Sequence, residues 1–184
     1  MEVLKTGIDG LVEIIPTVYE DDRGWFCELY RADEFRRNGL NTNFVQDNQS
    51  FSKKGVVRGL HLQLHPYSQG KLVSVVAGKV RDVVVDLRAG SSTFGKVHYC
   101  ILDATKRNLL LVPEGFAHGF AALEDSIFYY KCTNHHNPSS EIGIRWDDPG
   151  LNIDWGIHEP VLSTKDKNHP TLDELLRKSV ISRN

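Results

Sequence analysis

Along this 184-residue chain, apolar residues recur at every second position, in short runs rich in valine, isoleucine and aromatic side chains. Such alternation marks strands, where successive side chains point to opposite sides, whereas a helix would repeat its apolar positions every three to four residues. Strands are predicted over residues 11–18, 25–30, 43–51, 57–64, 71–77, 79–87, 96–102, 108–112 and 119–133. Two segments read as peripheral helices. Residues 32–38 are charged and helix-favouring, and residues 171–179 carry Leu172, Leu175 and Leu176 at helical spacing after Thr171, a residue suited to cap a helix. Short strands joined by tight turns, such as Ala77-Gly78 between two valine-rich runs, favour a closed all-β barrel or sandwich over any α/β arrangement. No repeat, low-complexity block or flexible linker interrupts the sequence, so one domain over residues 1–184 is expected.

The two faces of these strands differ in kind. Phe26, Glu28 and Tyr30, then Phe44, Gln46 and Asn48, then Gly59, His61 and Gln63 mix aromatic with hydrogen-bonding groups. Lys71, Val73 and Val75, and Val80, Asp82 and Val84, each set one ionisable group among apolar neighbours. Faces of this kind suit the lining of a ligand-holding barrel. They suit solvent equally, because the opposite faces, with Leu72, Val76, Val83, Val85 and Leu87, are at least as apolar and can form the core.

Charge narrows the partners. Lysine and arginine number 22 against 24 aspartates and glutamates, a formal net charge of -2, which offers no general attraction to nucleic acid or an anionic membrane. Any anionic ligand must be met by local charges. The N-terminus lacks an apolar signal core and no run is long enough to span a bilayer, which points to a cytoplasmic protein. Cys27, Cys100 and Cys132 are odd in number and scattered through apolar stretches, as buried thiols are, and do not form the pattern of a disulfide frame or zinc site.

Several side chains have the chemistry of a proton-transfer site, although each alone has a structural explanation. His61 in RGLHLQ can act as a base if Asp166 in LSTKDKN fixes its tautomer and supports the imidazolium that forms. Tyr130 can present a phenol from another strand. Lys71 can stabilise a developing oxyanion with Asp82 holding it in place, or the two can form a salt bridge of no catalytic consequence. Arg23 in DDRGWF and Arg58 in RGLH stand beside glycines, where backbone approaches a ligand closely and a guanidinium grips phosphate oxygens, so the pair suggests a diphosphate. His118 in PEGFAHGF is a second site histidine by the same reasoning, while His65, His135, His136, His158 and His169 lie in polar or turn-like contexts that suggest solvated side chains.

The segments FVQDNQS, VVRGLHLQ, SQGKLV, VRDVVVDLRAGSSTFG, PEGFAHGF, YKCTN, DDPGLNIDW and LSTKDKN, in this order, resemble the dTDP-4-dehydrorhamnose 3,5-epimerase family over nearly the whole chain. The resemblance implies a cupin-type jelly-roll β-barrel, a homodimer with a strand exchanged across its interface, a dTDP-sugar substrate, and catalysis without metal or organic cofactor. It implies that His61 is the general base with Asp166 behind it, that Tyr130 is the acid on the other side of the sugar, and that Lys71 lies beside the 4-keto oxygen with Asp82 near it. It assigns Arg23 and Arg58 to the diphosphate, Phe26, Glu28, Gln46, Asn48 and Glu141 to the surroundings of the nucleoside, Lys165 to a further phosphate contact and His118 to the sugar. One departure concerns specificity: after YKCTN the family usually has an aromatic pair with tyrosine second, and this chain has His135-His136. That change points to inversion at a single carbon, or to a different nucleotide sugar, as alternatives to double inversion. A metal-dependent cupin using His61, His65 and His118 is a rival reading, opposed by Gln63 where metal cupins place the second histidine of an HxH. A noncatalytic sugar-nucleotide-binding barrel and a 3,4-ketoisomerase are the others.

Overall fold

The computed structural model describes residues 1–40 and 43–183. Its strands are β1 (Glu2–Lys5), β2 (Val12–Ile15), β3 (Val18–Asp21), β4 (Gly24–Cys27), β5 (Gln46–Ser52), β6 (Val57–Gln63), β7 (Lys71–Ala77), β8 (Lys79–Asp86), β9 (Val97–Asp103), β10 (Leu109–Val112), β11 (Phe116–Ala122), β12 (Ser126–Cys132) and β13 (Glu141–Gly143). Three short helices accompany them: α1 (Ala32–Arg37), α2 (Thr164–Lys167) and α3 (Leu172–Arg177). One sheet runs β1-β2-β10-β7-β12-β5 and the other β13-β6-β11-β8-β9, while β3 and β4 form a separate hairpin. The two sheets enclose a shared core in a cupin-type jelly roll.

Alternation could not choose between the two faces because both are covered. Val73, Val75, Val80, Val84, Leu110, Phe116, Phe120 and Phe128 pack together between the sheets. The outward Val83, Val85, Leu60 and Leu62 are buried beneath Ile144, Trp155, Leu172 and Leu175 of the C-terminal segment. Outward Leu72, Leu109 and Leu111 meet Val12, Ile14 and Phe35. Val76, expected on the core side, is exposed.

Several predicted boundaries move for identifiable reasons. The run 11–18 breaks at Pro16, which has no N–H to give a ladder, so β2 and β3 join different sheets. The run 119–133 divides into β11 and β12 at residues 123–125. The Ala77-Gly78 junction does not close a hairpin: β7 and β8 lie in opposite sheets, and the chain turns a corner there. Gly78 has φ +77°, and a Cβ on it would run into the Asp125 carbonyl.

Candidate active site

A cleft of about 320 Å³ opens between the sheets, lined by His61, Lys71, His118, Tyr130, Glu141, Lys165 and Asp166 together with Arg58, Ser50, Phe120 and Phe128. It adjoins a lobe of about 240 Å³ lined by Gln46, Asn48, Gln63, Gln69, Cys132 and His136. His61, Lys71, Tyr130 and Glu141 line both, and so mark the place where the two meet.

Backbone packing sets the histidines. Gly59 has φ +106°, and a Cβ there would stand 2.7 Å from Gly119 Cα and from the His118 carbonyl. The two glycines let β6 and β11 approach closely, and the register slips between His118 and Phe120. His61 and His118 become directly paired across the strands.

Each histidine has its own carboxylate. His61 Nε2 lies 2.7 Å from Asp166 Oδ1, which leaves Nδ1 as the nitrogen free to take a proton. Ser163 caps α2 and donates its hydroxyl to the other Asp166 oxygen at 2.8 Å. Burial opposes ionisation of Asp166, but the hydrogen bonds from His61 and Ser163 hold its carboxyl below the ordinary value. Asp166 is thus a fixed anion behind the ring. His118 Nε2 lies 2.8 Å from Asp82 Oδ2, and Asp82 is wholly buried. Burial raises the Asp82 carboxyl, and its neighbours, His118 foremost, only partly offset this. Asp82, expected to hold Lys71 and to touch a ligand, lines neither lobe: it lies buried on β8 beside β11, is hydrogen-bonded to His118, and acts on Lys71 through its charge alone.

Lys71 is half-buried and, among the described residues, its ammonium is in no ion pair; it stands 6.0 Å from the centre of the Tyr130 ring. Burial pulls its pKa below the ordinary lysine value against the opposing charges of Cys132, Glu141 and Asp82. Burial likewise raises the Tyr130 phenol. Glu141 is bridged by Lys165 Nζ and by His136 Nε2, the latter at 2.8 Å. Burial alone would raise its carboxyl; these two donors bring it down to about 2. Arg58 is held by the Ser52 hydroxyl at 3.0 Å and the Phe51 carbonyl at 3.1 Å.

The cleft therefore gathers His61, Lys71, Tyr130, Asp166, Arg58, His118, Glu141 and Lys165, with Gln46 and Asn48 in the adjoining lobe. It does not gather Arg23, Phe26 or Glu28. Arg23 projects from the β3–β4 hairpin, 90% exposed and paired with Asp21. Phe26 is 62% exposed on the same hairpin, and Glu28 pairs with Arg31 outside the barrel. Phe44, placed on the ligand face by alternation, precedes β5 and packs on Tyr30. Sequence reasoning missed Ser163, legible only as a serine three residues before Asp166, and missed His169, which is mostly buried against His61.

His61, Asp166 and His169 bring donor atoms within 4.8 Å of one another. The 2.7 Å between His61 Nε2 and Asp166 Oδ1 is the length of a shared proton. Two ligands at 2.0–2.1 Å on a tetrahedral zinc stand about 3.3 Å apart, so a metal would have to force this pair open. His65, the third member of the metal-cupin reading, is exposed beyond the end of β6 and does not line the cleft.

Comparison with known proteins yields one consistent set of matches. The family model described as dTDP-4-dehydrorhamnose 3,5-epimerase matches residues 5–174. A dTDP-4-dehydrorhamnose 3,5-epimerase of Shigella flexneri is 48% identical over 170 residues, covering 91% of this chain and 94% of that protein. The crystal structure of a Legionella pneumophila dTDP-6-deoxy-D-glucose-3,5-epimerase in complex with dTDP-4-keto-L-rhamnose superposes with a TM-score of 0.92 at 45% identity, covering 100% of this chain and 98% of that one. A 3'-monoepimerase from Streptomyces bikiniensis, solved with dTDP-quinovose, superposes with a TM-score of 0.91 at 32% identity, covering 97% of this chain and 92% of that one.

Proposed function

Because the chain belongs to the dTDP-4-dehydrorhamnose 3,5-epimerase family, we propose that His61 and Tyr130 divide between them the proton transfers of that reaction while Lys71 stabilises the enolate. The enzyme is an isomerase that inverts carbons 3 and 5 of dTDP-4-dehydro-6-deoxy-D-glucose to give dTDP-4-dehydro-L-rhamnose. Its 4-keto group acidifies the hydrogens on both neighbouring carbons. A base removes one as a proton, the electron pair moves into an enolate on the 4-oxygen, and a proton returned to the other face inverts the centre. No electron leaves the sugar, so the chemistry requires only a base, an acid opposite it and a donor at the oxygen.

The observation that carries this assignment is the pair of His–Asp couples in one cleft, which differ in fitness as a base. His61 is 28% exposed to the cleft and backed by a carboxylate kept ionised. His118 is only 7% exposed, and its partner Asp82 is pushed towards the neutral form. His61 is therefore the base, and His118 a hydrogen-bonding group beside the sugar. Tyr130, on the opposing sheet, supplies the proton to the other face, and Lys71, between the two lobes, receives the enolate oxygen. Arg58 and Lys165 suit the phosphates, while Gln46, Asn48 and Glu141 suit the nucleoside side of the cleft.

Proton NMR of the 4-keto-6-deoxyglucose nucleotide in deuterated water tests this directly. Solvent deuterium is expected at both carbon 3 and carbon 5; loss of signal at neither would overturn the assignment. A second reading has its own observation. His136 stands in the second lobe, bonded to Glu141 and, through its backbone N–H, to Gln46 at 2.9 Å, and a 3'-monoepimerase shares the fold. Exchange at a single carbon would make this chain a single-centre epimerase.

The residues left outside the cleft are accounted for by a homodimer. The β3–β4 hairpin exposes Tyr19 and Phe26, paired across its strands, at 61 and 62%, an apolar pair that a second copy would cover. A second copy that receives this hairpin gains Arg23 for the diphosphate and Phe26 and Glu28 for the nucleoside. Light scattering is expected to give the mass of a dimer. Phe26→Asp should shift it towards monomer and raise KM more than it lowers kcat; a dimer unaffected by that change rules out the hairpin as its seam.

A further inference from the structure

His169 was expected to be solvated, and the proton transfers above give it no task. Its ring lies against β13 at Gly143, where any Cβ would run into the imidazole. The ring stands edge to face on His61, with centroids 5.4 Å apart and planes at 79°. Among the described residues its buried Nε2 has no hydrogen-bond partner; it lies 3.6 Å from the Asp166 Oδ1 that His61 Nε2 meets at 2.7 Å. Buried polar atoms without a partner are rare in native proteins, and among the described residues the carboxylate that this one faces is that of Asp166.

We propose that His169 is a positioning residue for the base, its Nε2–H directed at the same Asp166 oxygen, so that one carboxylate is shared between two imidazoles. The inference rests on the reading of His61 as the base. The groups facing His169 are His61 on β6, Glu141 on β13, and Lys165 and Asp166 on α2. Burial, followed by the charge that His61 carries when protonated, keeps the His169 ring neutral against the pull of Asp166 and Glu141. It acts as a neutral donor. A second N–H on Oδ1 takes up part of the carboxylate's charge, so the imidazolium formed on His61 is held less tightly and releases its proton more readily. The edge-to-face contact also keeps the His61 ring from swinging away from Asp166.

Two measurements test this. In protein labelled with nitrogen-15 at histidine, His169 is expected near neutral pH as the tautomer protonated on Nε2; a ring protonated on Nδ1 alone overturns the proposal. The pH profile of kcat/KM for exchange is then compared among the parent, His169→Phe, which keeps a ring but no donor, and His169→Gln, which restores an N–H. The acidic limb should move up by about half a pH unit or more in the phenylalanine variant and return towards the parent in the glutamine variant. A limb that stays put in a phenylalanine variant with a normal melting curve also overturns it. His61→Asn is run beside them. Exchange surviving in that variant overturns the reading of the base and this inference with it, whereas loss of exchange there with an unmoved limb in His169→Phe removes this inference alone.

Discussion

Replacing His61 by alanine is expected to stop incorporation of solvent deuterium at both carbon 3 and carbon 5 and to lower turnover by about 10²–10⁴-fold, the usual contribution of a positioned general base. Both losses are expected together because one imidazole, 28% exposed and anchored 2.7 Å from Asp166, faces the junction of the two lobes. Asp166→Asn should give a smaller loss in the same direction. The asparagine can still hold the ring but no longer supports the charge that forms on it. Binding of dTDP should survive both changes, since Arg58 and Lys165, proposed to meet the phosphates, are untouched. Exchange persisting at both carbons in His61→Ala would transfer the role of base to His118, the other histidine in the cleft. The measurement is the rate of signal loss at each carbon in deuterated water, compared with the binding constant for dTDP.

Strand alternation showed which side chains share a face, and the resemblance, not the alternation, picked the face that lines the cleft. His61 and Gln63 on β6, Lys71, Val73 and Val75 on β7, and Asp82 on β8 follow the two-residue period, and the sheet pairing preserves it. The sheet that each residue joins is not legible in this way. Asp82 acts on Lys71 only through its charge, because a corner at Gly78 sends β7 and β8 into opposite sheets and leaves Asp82 hydrogen-bonded to His118 of β11. Pattern cannot reveal a corner, since a glycine at φ +77° suits a hairpin turn and a bend between sheets alike. Helix α2 was missed for a different reason: four residues are too few for any period to show, and only the Ser163 cap marks it. Arg23, Phe26 and Glu28 are assigned to the ligand by the resemblance but lie on a hairpin and loop that one chain leaves outside its own cleft.

Removing the Lys71 ammonium should lower turnover by at least about a hundredfold, because an oxyanion donor typically contributes about 2.7–4 kcal/mol. The effect should fall on kcat more than on KM. The substrate's carbonyl oxygen carries only a partial charge, whereas the enolate carries nearly a full one, so a fixed cation favours the transition state over the bound substrate. Among the described residues no ion pair neutralises this lysine, and its half-buried setting weakens the screening that would otherwise blunt it. Lys71→Met keeps the length and bulk of the side chain and is the cleaner variant; near-normal turnover there would end the assignment. The pH dependence separates Lys71 from Tyr130. Burial lowers the lysine from its ordinary 10.5 and raises the phenol from its ordinary 10.0. As pH rises, Lys71 is expected to lose its proton below the ordinary lysine value, and kcat should fall on a basic limb there. In Lys71→Met the residual kcat should hold level through that range and fall only where Tyr130 ionises. A basic limb unchanged in Lys71→Met would mean that the proton lost in that range belongs to another group.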